Sequence, residues 1–262
     1  MSDGASSGPK LSVVVTVHDE ADQLAECLDR LTFSDELVVV LDRCADASKE
    51  IAAGYGGVLV EGAWPLEGER RNAGIDAASG AWVLEVDADE RAPSELGQEI
   101  RSKIATASPG YFLVPFDNYI GSRRVRYGWG GSWGVSAAPR LFSKGAKRWG
   151  PQRVHPALEL QGRERTLKIR MIHHVDRDFS DMLCRLDRYT ALRAADLRDA
   201  GKPLPPMIWT LRRSVSRFLK CYFRRKGYRE GRWGFVIALM AALYPLISHL
   251  RAEVEPIEGD EG

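Results

Sequence analysis

The first third of the chain alternates short apolar runs with segments of helical character, and this alternation restricts the fold more than any other feature. The runs are LSVVVTV (Leu11–Val17), ELVVVLD (Glu36–Asp42), VLVEGA (58–63) and AWVLEVD (81–87). Continuous runs rich in β-branched residues are typical of strands buried on both faces, as in a parallel sheet. The segments between them carry apolar residues at helical spacing. Four strands alternating with helices predict a doubly wound, mostly parallel α/β sheet with right-handed crossovers.

The order of these strands determines where a ligand would bind. In the order 3-2-1-4, the first and fourth strands are neighbours at the point where the chain reverses direction. Ligands of open α/β sheets bind there, beyond the carboxyl ends of the strands. Residues 18–20 follow the first strand, and residues 87–89 follow the fourth. We therefore expect the acidic residues of both loops to lie in a binding site.

Asp87 and Asp89 close the fourth strand in the sequence AWVLEVDADER. Residues two apart in extended chain point to the same side, so both carboxylates can reach one cation or its water shell. Oxygen ligands suit Mg²⁺ or Mn²⁺, which bind through one or two carboxylates and the phosphates of a substrate. An acidic turn before the next helix is the alternative interpretation. Glu85 and Glu90 are expected to serve the fold or its solvation.

Two further positions point to a nucleotide. Asp42 ends the second strand, where its carboxylate can accept a hydrogen bond from a nucleobase or a ribose hydroxyl, or can simply stabilise a turn. Arg71 and Asn72 lie at the start of a helix in the sequence RRN. Basic side chains and backbone N–H groups at that place can face a diphosphate, although an exposed helix face has the same pattern.

The charge of the chain is balanced overall but unevenly distributed. The formal net charge is +1, yet residues 212–232 hold nine bases and one acid. Apolar residues at helical spacing lie between these bases, which predicts a helix on an anionic membrane surface and favours lipid over nucleic acid. The apolar run that follows, residues 235–247, has thirteen residues. It is shorter than the ~20 residues that a membrane-spanning helix needs.

The N-terminus and the cysteines restrict the cellular compartment. The first ten residues contain an acid and no apolar run, so we expect no secretory signal and a cytoplasmic location. The four cysteines are widely spaced and form no C-x-x-C pair. This pattern favours reduced thiols over a zinc knuckle or a disulfide framework.

Several motifs resemble those of family 2 glycosyltransferases with the Rossmann-like GT-A fold, and more narrowly those of bacterial lipopolysaccharide core β-glycosyltransferases. In chain order they are VVVTVHDEAD, VVVLDRCADAS, GERRNAGIDAASGAWVLEVDADER, RLF with RVHPAL, and IHHVDRD with RLDRYT. The resemblance covers nearly the whole chain from Lys10. It implies a metal-dependent enzyme that transfers a sugar, with inversion, from a nucleotide-sugar donor to a lipid-linked saccharide. A UDP-sugar is the first expectation for the donor, and Mg²⁺ or Mn²⁺ for the cofactor.

The resemblance also implies roles for residues of the nucleotide-sugar site. Asp42 matches the position that holds the base. Glu20 lies in the nucleotide-contacting first loop, where Asp19-Glu20 replaces the usual Asn-Glu. Arg71 and Asn72 fall in the segment beside the donor.

The metal site and the catalytic base are implied in the same way. Asp87 and Asp89 match the metal and diphosphate motif, with Asp89 as the direct ligand. His173 is either a third contact to the metal or diphosphate, or a structural histidine. Where the family pattern reads Val-His-Glu this chain has Val-His-Pro, so the base is either His155 itself or Glu159 nearby.

The expected organisation is a disordered N-terminus (1–9), a GT-A domain (10–178), a helical, membrane-associating C-terminal region (179–252) and an acidic tail (253–262). The expected location is peripheral, on the cytoplasmic face of a bacterial inner membrane, with no nucleic acid as partner. Two alternatives stay open. A metal-dependent nucleotidyltransferase would share the acidic site but release pyrophosphate, whereas a catalytically silent saccharide-binding or assembly protein would release nothing.

Overall fold

The computed structural model describes residues 10–130, 133–153 and 156–255. They form two compact units that interleave along the chain. The first unit comprises residues 10–116, 137–152 and 156–173, and the second comprises residues 117–130, 133–136, 153 and 174–255. The domain boundaries expected from the sequence stay a prediction.

The described residues contain twelve strands and seven α-helices. The strands are β1 Leu11–Val17, β2 Glu36–Asp42, β3 Val58–Gly62, β4 Trp82–Asp87, β5 Glu90–Arg91, β6 Gly110–Ile120, β7 Arg123–Val125, β8 Ala137–Ser143, β9 Lys147–Trp149, β10 Leu158–Leu160, β11 Arg163–Thr166 and β12 Met171–Asp176. The helices are α1 Ala21–Asp29, α2 Ser48–Gly54, α3 Glu67–Ala77, α4 Ser94–Ile104, α5 Phe179–Asp199, α6 Met207–Leu219 and α7 Arg232–Val254. A π-helical turn, Lys220–Arg224, continues α6, and a 3₁₀ turn, Gly227–Glu230, precedes α7.

The first four strands have the order 3-2-1-4, which places the first strand beside the fourth. The main sheet runs β3-β2-β1-β4-β8-β6-β12-β5. β1 is parallel to both β2 and β4, whereas β8 pairs antiparallel with β4. Because β1 and β4 are neighbours, the loops that follow Val17 and Asp87 emerge at the same edge of the sheet. The mixed, mostly parallel α/β architecture is the fold class that the sequence predicts.

Burial explains why the strand runs are apolar throughout. All seven residues of β1 are buried. Helix α1 covers one face of the sheet with Leu24, Cys27 and Leu28. Helix α3 lies very close to the other face, since a β-carbon at Gly74 would fall 2.6 Å from Cγ2 of Val40. This close approach brings the first turns of α3, which carry the predicted arginine, towards the functional edge of the sheet.

Glu36, at the start of β2, is a partly buried hydrogen-bond acceptor that connects β1 and β2 to the segment before β4. Its carboxylate accepts hydrogen bonds from the Ser12 hydroxyl and, at 2.7 Å each, from the backbone N–H and the hydroxyl of Ser79. Burial acts to raise the pKa of Glu36, but these hydrogen bonds and Lys10 lower it from 4.5 to about 2. The carboxylate therefore stabilises the fold above pH 4.5, and this contribution is lost as the pH falls towards 2.

We expect Glu36→Gln to lower the free energy of unfolding by about 2 kcal/mol at neutral pH, because the amide loses charge-assisted hydrogen bonds. Urea unfolding across a pH series measures the effect, and the difference from the unsubstituted chain should shrink as the pH falls below the ordinary glutamate pKa. Glu61→Gln is the matched control, since Glu61 pairs only with Lys49 at the surface among the described contacts. A difference that does not change with pH would contradict the assignment.

Helix α7 forms the centre of the second unit. Its buried residues include Ile237, Ala238 and Ala241, which belong to one apolar cluster with Trp129 and Trp133. Those two tryptophans therefore take part in the core of this unit. The helix continues through Pro245, which is itself buried. Favourable packing of this kind can outweigh the roughly 3 kcal/mol that an interior proline costs a helix.

The length of α7 differs from the expectation. With 23 residues, it is the one helix in the described part of the chain that could cross a membrane by length and composition. The sequence indicated a segment too short to do so, because its apolar run, residues 235–247, has thirteen residues. Of the most apolar 18-residue stretch of this helix, 50% is buried within the structure.

Candidate active site

Asp89 lies among potential metal ligands just beyond β4. Ligand atoms of Asp89, Glu90 and His173 lie within 4.8 Å of one another, and Nε2 of His173 is 3.4 Å from Oδ2 of Asp89. The other carboxylate oxygen, Oδ1, is buried and accepts no hydrogen bond from the residues that the structure describes. A buried acceptor without a donor is unfavourable, and a cation would supply the missing interaction. Carboxylate and imidazole ligands fit Mn²⁺, and the carboxylates also fit Mg²⁺.

The pKa values of the ionisable groups around Asp89 are shifted, because these groups are buried and lie close to its charge. Burial and the negative charge of Asp89 raise the pKa of Glu20 to about 7. Burial also raises the pKa of Glu90 to about 7, although Arg140 opposes the shift. Burial alone would lower the pKa of His173, but Asp89 raises it above its ordinary value. Ionisation of Glu20 and Glu90 beside Asp89 is therefore unfavourable, and the positive charge of a divalent cation would favour it.

Asp87, the first aspartate of the pair, is held between two arginines. Nη1 of Arg71 donates to its Oδ1 at 2.9 Å, and Arg140 donates to its Oδ2. Arg71 also donates to Glu67 at 2.9 Å, and Arg140 donates to Glu90 at 2.5 Å. Burial opposes ionisation of Asp87, but the two guanidinium groups hold its pKa well below the usual range. Its role as a metal ligand stays a prediction, because both oxygens accept hydrogen bonds from arginine.

Asp42 is buried at the end of β2 and forms the other side of the site. Its carboxylate accepts the backbone N–H of Trp64 at 3.1 Å and two hydrogen bonds from Arg43 at 3.0 Å each. Arg70 lies 3.4 Å from the same carboxylate. Arg70 and Arg71 are consecutive on α3, so adjacent residues of one helix reach Asp42 and Asp87. The structure thus brings the predicted nucleotide and diphosphate residues together.

Asn72 contacts β9 through both ends of its side-chain amide. Its Nδ2 donates to the carbonyl of Trp149 at 2.9 Å, and the Trp149 N–H donates to its Oδ1 at 3.0 Å. Arg71 lies over the Trp149 ring, 5.0 Å from the ring centroid. Asn72 therefore fixes the strand that precedes the segment carrying His155. Its predicted contact with the donor stays a prediction.

Of the two candidate catalytic bases, His155 and Glu159, the structure describes only Glu159. His155 lies outside the described residues. Glu159 is exposed on β10 and pairs with Arg148 of β9. Residues directly opposite each other on antiparallel strands share one face, and neighbours along a strand alternate. Glu159 therefore lies on the face of this ribbon opposite to Trp149, which contacts Arg71.

Residues 12–156, more than half of the chain, match the family described as glycosyl transferase family 2. The chain belongs to this family. The matched residues contain Glu20, Asp42 and the arginine and aspartate residues gathered at the edge of β4. The family match and the sheet order together confirm the GT-A fold and the resemblance recognised in the sequence.

Individual relatives are more distant. The lipopolysaccharide core biosynthesis glycosyltransferase LpsC of Rhizobium meliloti (strain 1021) is 23% identical over 259 residues, which cover 92% of this chain and 90% of the relative. A TPR repeat-containing protein of Synechococcus elongatus is 35% identical over 97 residues, covering 36% of this chain and 24% of that protein.

Solved structures match a shorter part of the chain. Glucosyl-3-phosphoglycerate synthase from Mycobacterium tuberculosis, in complex with Mn²⁺, UDP and phosphoglyceric acid, is 22% identical with a TM-score of 0.37. The match covers 42% of this chain and 44% of that one. The chain therefore spans less than half of the length of that structure.

Arg140 is a buried residue of the site that the sequence did not lead us to assign. It is buried in β8 and joins Asp87 to Glu90. A sequence signal exists, because a single arginine stands beside the buried Leu141 and Phe142 of the same strand. Buried charges are almost always paired, so this arginine predicts a carboxylate partner without saying which one.

Proposed function

We propose that this family 2 glycosyltransferase transfers a sugar from a nucleotide-sugar donor to a lipid-linked saccharide, with inversion, in the assembly of lipopolysaccharide core or a related cell-envelope polysaccharide. The observation that carries the proposal is the buried, unsatisfied oxygen of Asp89 beside His173, next to Asp87 and its two arginines. It lies at the β1–β4 edge, where α/β sheets bind nucleotides. The similarity to LpsC over nearly the whole chain supports the class of acceptor.

In this proposal the donor lies across the edge of the sheet. Asp42 and Glu20 contact the nucleoside, and the solvent-facing side chain of Arg43 swings away from Asp42 when the base binds. Arg71 contacts the diphosphate, while Asn72 keeps the neighbouring strand in place. A UDP-sugar is the expected donor.

The residues fit a divalent cation. Asp89 and His173 would hold Mg²⁺ or Mn²⁺, with Asp87 as the second predicted carboxylate ligand. A cation bound there would stabilise the negative charge that develops on the leaving diphosphate. Arg71 and Arg140 supply positive charge on the other side of Asp87, in a region largely excluded from water.

Inversion needs one base opposite the leaving group and no covalent nucleophile. We assign this role to His155, because an unperturbed imidazole has a suitable pKa of about 6.5. The orientation of Glu159 away from Trp149 and Arg71 favours this choice over the glutamate. The acceptor hydroxyl would lose its proton to the imidazole as the new bond to the sugar forms.

Product analysis tests the proposal. The purified chain, a panel of nucleotide sugars, Mn²⁺ and lipid-linked saccharide extracted from bacterial membranes should release a nucleoside diphosphate only when an acceptor is present. His155→Ala should lower kcat by about 10²- to 10⁴-fold with donor binding retained, whereas Glu159→Gln should stay active. Release of pyrophosphate would instead indicate a nucleotidyltransferase. Donor-independent binding of saccharide without turnover would indicate a silent binding protein.

We also propose a peripheral location on the cytoplasmic face of a bacterial inner membrane. The excess of basic residues in 212–232 supports this location, because such segments are attracted to anionic lipid.

A further inference from the structure

A row of apolar side chains on α6 and its π-helical turn is exposed. These residues, which we call the α6 stripe, are Ile208, Leu211, Val215, Leu219 and Phe223. Ile208, Val215 and Phe223 expose 68%, 59% and 58% of their surface. Their spacing of three or four residues places them on one face of the helix. The opposite face carries the buried Thr210, Ser214 and Cys221, so α6 is amphipathic with its apolar side outward.

Positive charge lies along this stripe. A groove of about 690 Å³ is lined by Val215, Leu219 and Phe223 together with Arg212, Lys220 and Arg224. The sequence has nine bases and no acid between Asp199 and Glu230. Glu230 itself accepts the backbone N–H groups of Arg126 and Tyr127, at 2.8 and 3.1 Å. The surface of α6 therefore combines exposed apolar groups with bases and has no nearby acid in its own segment.

Helix α7 has a different environment, although its composition suggests a membrane span. Its buried residues form the apolar cluster of the second unit, and the buried His249 contacts Thr210 of α6 at 3.2 Å. Because these apolar residues of α7 are buried inside the unit, they cannot contact lipid while the unit stays folded. The exposed apolar surface of this region includes the whole α6 stripe.

We propose that the α6 stripe docks this protein on an anionic lipid leaflet, with α6 lying in the plane of the interface and α7 remaining inside the folded unit. The apolar side chains would enter the acyl boundary while Arg212, Lys220 and Arg224 contact lipid phosphates. The enzyme would then bind its lipid-linked acceptor at the same leaflet on which it is docked. In this respect the inference rests on the proposed function.

Vesicle binding of the full chain tests the docking surface directly. Flotation with phosphatidylglycerol-containing vesicles, compared with pure phosphatidylcholine, should show binding to the anionic vesicles that weakens as salt is added. Leu219→Glu combined with Val215→Glu should reduce the bound fraction by about tenfold or more. Leu183→Glu is the matched control, since Leu183 on α5 is exposed to 46% and Leu219 to 47%. This control should bind like the unsubstituted chain.

The basic residues are tested separately, with variants that leave the apolar stripe unchanged. Lys220→Gln and Arg224→Gln should each weaken binding to anionic vesicles by about fivefold at low salt. Trp209, which is 56% exposed beside the stripe, gives a second readout. Its fluorescence should shift to shorter wavelength on binding, and Trp209→Phe should remove that shift.

Several outcomes would overturn the inference. Equal binding by the Leu219 and Leu183 variants would show that the stripe does not meet lipid. Salt-resistant binding that survives alkaline carbonate would indicate a spanning α7. A change in light-scattering mass without a change in vesicle binding would assign the stripe to a second copy of the chain. Thermal stabilisation by nucleotide sugar, measured without vesicles, should be the same in all variants, so failure at the membrane is distinguishable from failure of the donor site.

Discussion

Asp89→Ala should reduce sugar transfer on the order of a thousandfold while leaving the chain folded. The buried Oδ1 of Asp89 has no donor among the described residues, and Oδ2 contacts only His173 among the ion pairs of the described residues, so the loss of the carboxylate should be tolerated by the fold. Loss of a direct ligand would remove roughly 4 kcal/mol of transition-state stabilisation by the cation. The raised pKa of Glu20 should also fall, because Asp89 supplies part of the negative charge that raises it.

The measurements are kcat with donor and acceptor, and the melting temperature with Mn²⁺ or with a chelator. Asp89→Ala should lose the stabilisation by Mn²⁺. In chelator it should melt close to the unsubstituted chain, since the lost repulsion of Glu20 and Glu90 offsets the lost interaction with His173. Asp76→Ala is the matched control, because Asp76 is exposed and pairs with Arg148 at the surface. Full transfer by Asp89→Ala would remove this residue from the metal site.

Arg140→Met should destabilise the chain by about 3–5 kcal/mol, because it leaves Asp87 and Glu90 without their shared cation. Glu90 is fully buried, and burial already raises its pKa to about 7 with Arg140 present. Without the guanidinium, Glu90 should bind a proton over a wider pH range. Asp87 should then interact with Arg71 alone, and transfer should fall together with stability.

Thermal and urea unfolding measure the loss, which corresponds to a melting temperature lower by roughly 10 °C for a chain of this size. Arg148→Met removes an exposed arginine from a surface pair with Asp76 and should cost less than about 1 kcal/mol. Adding Glu90→Gln to Arg140→Met should recover part of the stability, since the buried carboxylate is then neutral. Unchanged unfolding of Arg140→Met would mean that the buried cluster is not held by this arginine.

Individual residues show which features of the fold and the site can be predicted from local sequence patterns. Runs such as LSVVVTV predicted the strands, because burial on both faces requires continuous apolar residues. Right-handed crossovers leave few strand orders, and the structure has one of them, β3-β2-β1-β4. The same reasoning placed Asp42, Asp87 and Asp89 at one edge of the sheet. It did not predict that Asp87 would lie between two arginines, since Arg140 is 53 residues away along the chain. It also did not predict that Asn72 would hold Trp149, 77 residues away.

The length of α7 also could not be predicted from local sequence patterns. Pro245 is unfavourable within a helix by local propensity, and the apolar run that contains it, residues 235–247, has only thirteen residues. In the folded chain the proline is buried and the helix runs for 23 residues, because packing outweighed propensity. For α6 the sequence predicted a helix on a membrane surface from the bases between its apolar residues, and the folded chain shows which of those apolar side chains are exposed.

By itself, the sequence determined the α/β class, the family and the strand ends at which the site is built, because each depends on local periodicity and on motifs contiguous in the chain. The tertiary structure alone decided which oxygen of Asp89 is left without a donor, which arginines neutralise Asp87 and which face of α6 is exposed. Those properties depend on contacts between residues far apart in the chain, and the free energy of a buried charge is set by its neighbours in space.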